Sequence, residues 1–331
     1  MDHLYQHIFL RILRLPLLVR IFMIAFLVIS FFGVVVHIIE PENFPTVFEG
    51  VWWAIITAST VGYGDYVPGT TAGRITGILL LLAGTGFLTT YFISLAAAAV
   101  TKQSDYIEGK VGYLGSGHLI IVGWNERSRE ILNVLANSKR KIVLIDESLE
   151  TNPLTFQNVH FIKGKAQSDK TLLKAKIKHA DKVVITSDQS LDEHHADMNT
   201  ILTLIAVKGL NPDIRCIAEV LTNEQVNNAK RAGADEIIET NLISSEVMLV
   251  SIETEGMTNS LHELLNHLNG SQLTFNDAEG KLIDKTFREA CETLLDEGTL
   301  LIGIKKGEST NVNPPGSTHI QQGDKLLVII H

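Results

Sequence analysis

The chain has 331 residues, with 28 Lys and Arg against 37 Asp and Glu, a formal net charge of −9. That length leaves room for two or three units, and the acidic balance argues against a nucleic-acid partner. Cys216 and Cys291 are the only cysteines; they form no metal-ligand pattern and no disulfide framework, so free thiols in a reducing compartment are the simplest reading.

The average composition conceals a division. Up to about residue 101 the chain is mostly apolar, and beyond it charge rises while apolar residues come in short spaced runs. Ile21 to Ile39 is 19 residues without Asp, Glu, Lys or Arg. As a helix it reaches roughly 28 Å, about one hydrocarbon thickness. A signal peptide would have a shorter apolar core followed by a small-residue cleavage site, and neither is present. Ile75 to Val100 is a second uncharged run, of 26 residues, long enough to span with tilt. Arg11, Arg14 and Arg20 precede the first run, and Lys102 and Lys110 follow the second. Between the runs stand only Arg74 and the acids Glu40, Glu42, Glu49 and Asp65. This asymmetry places both termini in the cytoplasm and the linking segment outside.

The segment from Glu40 to Arg74 is too short for a domain. "FPTVFEGVWWAIITAS" carries Val47, Phe48, Val51, Trp52 and Ile55 at helical spacing behind Pro45. It predicts a re-entrant helix of about three turns that stops at Ser59. Non-helical backbone at membrane depth is tolerated only where protein buries it or water lines it, so the residues after Ser59 should face a cavity. Thr60-Val61-Gly62-Tyr63-Gly64 can turn successive carbonyls toward one axis, because Gly62 and Gly64 tolerate positive φ. Val61 and Tyr63 would then point away and prop the loop against Trp52, Trp53 and their neighbours. One chain supplies one carbonyl per level. Four copies supply four, enough to replace the hydration shell of K⁺. The Thr60 hydroxyl adds an inner ligand, the C-terminal end of the short helix carries partial negative charge toward the cation path, and Asp65 at the outer mouth raises local cation concentration.

"TVGYGD" resembles the selectivity-filter signature of potassium channels, whose filters are described by TVGYG itself. Two spans around a short pore helix resemble the minimal two-helix channel, here of the Bacillus type. In that family a glycine about this far past the filter is the hinge of the inner helix. The resemblance assigns the role to Gly84, 20 residues after Gly64, with Gly86 beside it. A small-residue contact between helices is the other reading, and the two are compatible. No Asp or Glu lies between Tyr66 and Ser104, which departs from relatives with an acid-lined inner mouth.

After a polar linker, residues 102–117, the pattern alternates. "HLIIVGW", "KIVLID", "VHFIKG", "KVVITSD", "DIRCIAEV" and "DEIIET" read as six strands, and helices lie between them, among them Asp169–Lys176, Asp192–Lys208 and Asn223–Ala232. This is the doubly wound parallel class. The expected architecture is an all-α membrane pore over residues 1–101, an α/β Rossmann-like lobe over 118–256, and a small α+β subdomain with a dimerisation helix over 257–331.

The first strand–turn–helix, with Asp146 about 20 residues on, has the dinucleotide-binding layout. Its fingerprint is degenerate: Gly123-Trp124-Asn125-Glu126-Arg127-Ser128 has Asn125 and Ser128 where the second and third glycines belong. A helix N-terminus still offers N–H groups, Arg127 or Arg129 could meet a phosphate, and Asp146 could accept from ribose hydroxyls. The alternative is a scaffold kept for assembly, with Asp146 capping a turn. "HLIIVGWNERSREIL", "VLIDE" and "RAGADEIIET" resemble the domain that regulates K⁺ conductance in bacterial channels and transporters (RCK), and "LIGIKKGE" with "NPPGSTHIQQGDKLLVII" resembles its C-terminal ligand-binding subdomain.

That resemblance implies a homotetramer in membrane lipid at the bacterial plasma membrane. It also implies a ring of cytoplasmic domains gated by a small molecule, and leaves open whether extra soluble subunits complete an eight-lobed ring. NAD, NADH or an adenine nucleotide is the candidate ligand. Calcium is poorly provided for. Glu219 matches one acid of calcium-gated relatives, but Leu221 stands where they have a second. "DEHHAD", Asp192 to Asp197, reads as a solvated helix start before it reads as a metal site. A membrane-anchored NAD-dependent enzyme and a K⁺ transporter's regulatory subunit are the competing classes. The first lacks a visible catalytic set, and TVGYG speaks against the second.

Overall fold

A computed structural model describes residues 15–136, 138–154, 158–265, 272–307 and 309–330; Arg11 and Arg14, which contribute to the expected orientation, lie outside them. The chain divides into two compact units: Met1–Leu191, Met198–Ala218 and Ala229–Glu236 form one, and Asp192–Asp197, Glu219–Asn228 and Ile237–His331 the other.

The first unit begins with α1 (Leu17–Ile39), behind Pro16, then the short α2 (Val47–Ala58), whose first turn is closed by Glu49 accepting from the Thr46 N–H at 2.7 Å. The second long helix is α3 (Thr71–Leu80), a π-helical turn (Leu81–Thr85), and α4 (Gly86–Ile107) in continuous succession. Among the described residues, two helices are therefore long and apolar enough to cross a membrane, Leu17–Ile39 and Thr71–Ile107, of 23 and 37 residues. Only 22% and 11% of their most apolar windows are buried within the chain, which is the reverse of a soluble core helix. Leu82, Phe92 and Ile93 stand open on this surface, the arrangement expected of helices that face lipid or a neighbouring copy.

Where α1 crosses α2, glycines set the distance. A Cβ on Gly33 would lie 2.6 Å from the Val51 Cα, so only bare backbone fits. The space closes over Ile29, Val36, Phe44, Trp53, Ala54, Ala58 and Leu80.

The helix α4 runs on to Ile107, past residue 101 where the sequence suggests a linker. Once a long apolar helix is nucleated, adding polar residues of fair propensity costs little, and Ser104 bonding Glu108 holds the last turn.

The Rossmann-like lobe has β1 (Leu119–Val122), α5 (Glu126–Ala136), β2 (Ile142–Asp146), β3 (Val159–Lys163), α6 (Asp169–Lys174), β4 (Lys182–Ile185), α7 (Glu193–Leu210), β5 (Arg215–Val220), α8 (Asn223–Arg231) and β6 (Glu236–Glu239). The six-stranded sheet has order β3-β2-β1-β4-β5-β6, with parallel pairing from β3 through β5. Every residue of β1 is buried, as a strand covered on both faces requires. The order reverses between β1 and β4, and a crevice opens there at the strands' carboxyl ends.

The second unit carries α9 (Thr240–Glu253), α10 (Met257–Leu265), β7 (Gln272–Asp277), α11 (Phe287–Asp296), β8 (Leu300–Lys306), β9 (Ser309–Val312) and β10 (Lys325–Ile330). The last four strands form an antiparallel sheet of order β7-β10-β8-β9. Phe287, Ala290 and Leu294 of α11 are buried against Leu301, Ile304, Leu326 and Val328. This is the small α+β subdomain expected from the sequence.

Candidate functional site

The loop over Thr60 to Gly64 grows directly from the end of α2. The N–H groups of Val61 and Gly62 both donate to the Ile56 carbonyl, at 3.0 and 3.3 Å, so the last turn of α2 is capped by the loop itself. Thr60, Gly62 and Gly64 have φ of 61°, 56° and 76°. Positive φ at every second residue turns alternate peptides over, so carbonyls that would point to opposite sides in a strand can point to one. Glycine adopts this region freely. Thr60 is β-branched, and holding it there costs on the order of 1–3 kcal/mol, strain of the kind that concentrates at functional sites.

Two contacts brace the loop from behind. The Tyr63 ring stacks on Trp52, centroids 6.2 Å apart and planes 14° apart. The Trp52 indole N–H donates to Asp65 at 2.8 Å. Trp53, also expected behind the loop, is instead buried against Phe44, 5.4 Å between centroids. Val61 and Tyr63 remain exposed in a single chain.

The outer end of the second long helix is tied to the first through Glu40. Its carboxylate is 4% exposed. It accepts from Asn43 Nδ2 and the Gly69 N–H at 2.8 Å, and from the Thr70 N–H and hydroxyl at 2.9 and 2.5 Å. Thr70 in turn caps α3 by accepting from the Gly73 N–H at 3.1 Å. Burial pushes the Glu40 carboxyl up, but these donors outweigh it and hold its pKa down at about 2. From the sequence Glu40 is only one acid of the outer segment, because Gly69 and Thr70, which supply three of its four donors, lie about 30 positions away.

In the second long helix, Gly84 lies within the π-helical turn, a feature frequent at functional sites. A Cβ on it would sit 3.0 Å from Leu80 Cδ1 and 3.2 Å from Ala58 Cβ, tighter than ordinary contact. The neighbouring Thr85 hydroxyl donates to the Ala58 carbonyl at 3.3 Å. Gly86 has nothing within 4 Å of a built Cβ. The small-residue contact thus exists at Gly84, against Ala58, the last residue of α2.

In the Rossmann-like lobe, Gly123, Trp124, Asn125, Glu126 and Asp146 line one cavity of about 1000 Å³ at the topological switch point, joined by Arg129, Glu147, Ser148, Asp188, Gln189, Ser190, Leu191 and Asn199. Arg127 and Ser128 do not line it. The degenerate fingerprint has a structural account. Asn125 Oδ1 accepts from the Ser128 N–H at 2.9 Å, and Ser128 Oγ accepts from the Asn125 N–H at 2.8 Å. This reciprocal cap occupies two donors that a glycine-rich turn would leave open. Asn125 Nδ2 also donates to Thr186 and to the Ser187 carbonyl, pinning the turn to the end of β4.

Asp146 is engaged as well. One oxygen accepts from the Trp124 N–H at 2.8 Å, and the other from Ser148 N–H, Ser148 hydroxyl and Leu149 N–H at 2.8, 2.7 and 3.0 Å. It caps the turn after β2, and its Trp124-facing oxygen retains a lone pair for a ligand. Arg129 pairs with Glu126. With Asp146, Glu147 and Asp188 the cavity holds four carboxylates against one guanidinium. Glu147, Ser148 and Gln189 to Leu191 were not singled out in the sequence; their position just past β2 and β4 was the available signal.

Glu219 is buried and accepts from the Thr240 hydroxyl at 2.6 Å. In "DEHHAD", Asp192 accepts from the His195 N–H and ring, while Asp197 accepts from the N–H groups of Leu221 and Thr222 at 2.8 and 2.9 Å. Among the described residues no three His, Cys, Asp or Glu side chains group as a metal site.

Residues 23–102 match the family described as "Ion channel", and residues 119–240 the "TrkA-N domain". The chain named "Putative potassium channel protein YugO" of Bacillus subtilis (strain 168) is 44% identical over 332 residues, 98% of this chain and 99% of its own length. The calcium-gated potassium channel TvoK of Thermoplasma volcanium is 28% identical over 94% of this chain and 91% of its own. Among solved structures, the GsuK channel superposes with TM-score 0.51 at 15% identity, over 95% of this chain and 57% of its own; the human SLO3 gating ring gives 0.53 at 18% over 64% and 44%. The chain therefore spans a little over half of the first solved chain and less than half of the second, and these likenesses concern the fold. With 44% identity over nearly its full length, one family match lying on the helical pore and the other on the Rossmann-like lobe, the chain belongs to the potassium channels that join an ion-channel pore to a TrkA-N gating domain.

Proposed function

We propose that four copies of this chain form a K⁺-selective channel whose filter is Thr60 to Gly64, in a bacterial plasma membrane with both termini cytoplasmic. The observation that carries this reading is the alternation of positive φ at Thr60, Gly62 and Gly64 directly beyond a short re-entrant helix. Carbonyls aligned this way dehydrate K⁺ only when several chains share each level. Asp65, fixed by Trp52, stands at the outer mouth. The π-helical turn at Gly84 is the bending point of the inner helix. The test is ion flux from vesicles holding the purified protein. K⁺ should pass far faster than Na⁺ under equal gradients, and equal rates would overturn the reading.

The lobe's cavity is the proposed gating site, for NAD, NADH or an adenine nucleotide. Support comes from its size, which falls in the roughly 300–1,000 Å³ range of small-molecule sites, and from its place at the switch point. The reciprocal Asn125–Ser128 cap and the surplus of carboxylates favour contacts to ribose hydroxyls over contacts to pyrophosphate. Thermal shift with NAD, NADH, ATP and ADP checks this. Asp146→Ala should abolish the shift while Lys305→Ala, in the other unit, leaves it intact; no shift with any of the four, or a shift unchanged by Asp146→Ala, would refute it. Glu219 has no second acid beside it at Leu221, which provides poorly for the six to eight oxygen ligands that calcium takes.

A further inference from the structure

At the cytoplasmic end of the inner helix lies a second cavity, of about 480 Å³, that neither the filter nor the nucleotide reading uses. Its lining joins three rings, Tyr106, Tyr113 and His160, to three consecutive cations, Lys139, Arg140 and Lys141, and none of its described lining residues is acidic. A run of cations on a turn is ordinarily just a solvated face. Here the chain carries net charge −9, yet among the described residues none of the three cations has an ion-pair partner. The rings beside them are fixed. Tyr106 meets His160 edge-on at 5.2 Å and Tyr113 lies 5.4 Å from the same imidazole. The size is within the roughly 300–1,000 Å³ of small-molecule sites.

The cavity also sits at a mechanical junction. Tyr106 belongs to the last turn of α4, six residues beyond Val100, the end of the uncharged run; that is ~9 Å along the helix axis, about one Debye length at 0.1 M salt. Just beyond, the Lys163 N–H donates to the Gly109 carbonyl at 3.0 Å and the Asn152 N–H to the Ile107 carbonyl at 2.8 Å. His160 Nε2 donates to the Val111 carbonyl at 2.9 Å. One imidazole therefore serves both the cavity wall and the anchoring of the segment that leaves the inner helix.

We propose that this cavity binds a phosphate-bearing anion, from an anionic phospholipid headgroup or from free phosphate, and that its occupancy stiffens the junction between inner helix and lobe. The binding half of the proposal stands apart from the filter and nucleotide readings, because it is read without any current.

The test uses the full-length protein and two probes. Phosphatidylglycerol is titrated onto the purified protein and counted by native mass spectrometry. Inorganic phosphate is titrated by calorimetry at constant ionic strength. At least one probe should bind, and K139A/R140A/K141A should weaken it by about fivefold per cation, roughly 100-fold in all, as cations near an anionic surface contribute. The equally charged control K165A/K170A/K178A should change it less than about threefold on the same scale. Response to phosphatidylglycerol alone assigns a headgroup, and response to phosphate alone assigns a free anion. If neither probe binds, or the control weakens binding as much as the cavity variant, the site is refuted. If binding is lost while K⁺ flux from phosphatidylglycerol vesicles stays at the wild-type level, the coupling to the inner helix is refuted.

Discussion

Replacing Glu40 by Gln keeps the shape and removes the charge at a point where two long helices meet. The native carboxylate receives four donors, from Asn43, Gly69 and twice from Thr70. A glutamine retains one acceptor oxygen and turns an NH₂ toward the donors that the other oxygen served. Charge-assisted hydrogen bonds contribute ~1.5–3 kcal/mol each, and a buried donor left facing a donor costs about 1–3 kcal/mol. The lowered pKa gives a second route. A fall from 4.5 to about 2 is a stabilisation of the charged form by about 3 kcal/mol at 1.36 kcal/mol per unit. The pKa figure, about 3 kcal/mol, reflects the same hydrogen bonds and is the smaller of the two; it is equivalent to roughly 100-fold in a local opening equilibrium. Hydrogen exchange reads it directly: in Glu40→Gln the Gly69 and Thr70 amides should exchange about 100-fold faster at neutral pH. The sign with pH follows from the depressed pKa. The Glu40 contribution is complete above the ordinary carboxylate value of 4.5 and is lost as pH falls toward about 2. Acidification should therefore loosen the wild-type segment and leave the variant's exchange comparatively flat. If Glu40→Gln exchanges within threefold of wild type (a difference of about 0.6 kcal/mol), the carboxylate is not what holds the start of α3.

Trp52→Phe deletes the indole N–H donated to Asp65 at 2.8 Å but keeps a ring for Tyr63; the loss of one charge-assisted bond, about 1.5–3 kcal/mol, should raise the K⁺ concentration needed to protect the assembled channel from heat by at least about tenfold. Gly84→Ala places a methyl 3.2 Å from Ala58 Cβ and should shift open probability in single-channel recording, whereas Gly86→Ala, with open space around it, should shift it far less. Burial lowers the pKa of His118, and the hydrogen bond to the Ala175 carbonyl only partly offsets this. Its contribution is therefore present above about pH 6.5 and lost as pH falls below it, so hydrogen exchange around residues 113–119 should rise on acidification and stay flat in His118→Phe. Burial pushes the Cys216 thiol up to about 11 and also raises that of the half-buried Cys291, so maleimide at pH 7.5 should label Cys291 slowly and Cys216 far more slowly in the native protein, and both rapidly after unfolding.

The strands of the lobe were legible because each is a short apolar run between charged helices, and burial on both faces permits no other pattern. The backbone of the loop after α2 was legible for a different reason. Gly62 and Gly64 mark positions where the backbone must take positive φ, and that requirement is written in residue type. Thr60 shows the limit of this signal, since a threonine at φ 61° follows from its neighbours and not from its own preference. Tertiary ties were hidden. Glu40 meets residues about 30 positions away, and nothing local distinguishes it from Glu42. Asn125 and Ser128 read as losses from a glycine pattern, although together they build a cap that makes the glycines unnecessary. The end of the inner helix was misplaced because Lys102 to Ile107 is polar in composition, and composition does not register that a helix already under way continues at little cost.

That extension changes what the connection to the lobe can transmit. A free linker over residues 102–117 would have an r.m.s. span of roughly 20–24 Å at about 5–6 Å × √n, and slack of that size absorbs a displacement before any force reaches the helix. In the structure only Glu108 separates the helix end from the Gly109 carbonyl held by β3, and Tyr113 and Gly117 donate to the Lys174 and His179 carbonyls at 2.9 and 2.8 Å. The segment is therefore a splint along the lobe, and a displacement of β3 is carried to Ile107 without slack. Moving a gate from 1:99 to 99:1 takes about 5.5 kcal/mol of differential binding, ~1.4 kcal/mol for each of four chains. A splinted junction spends little of that on taking up chain entropy, so a ligand with a tenfold preference for one lobe arrangement per chain would be enough to work the pore.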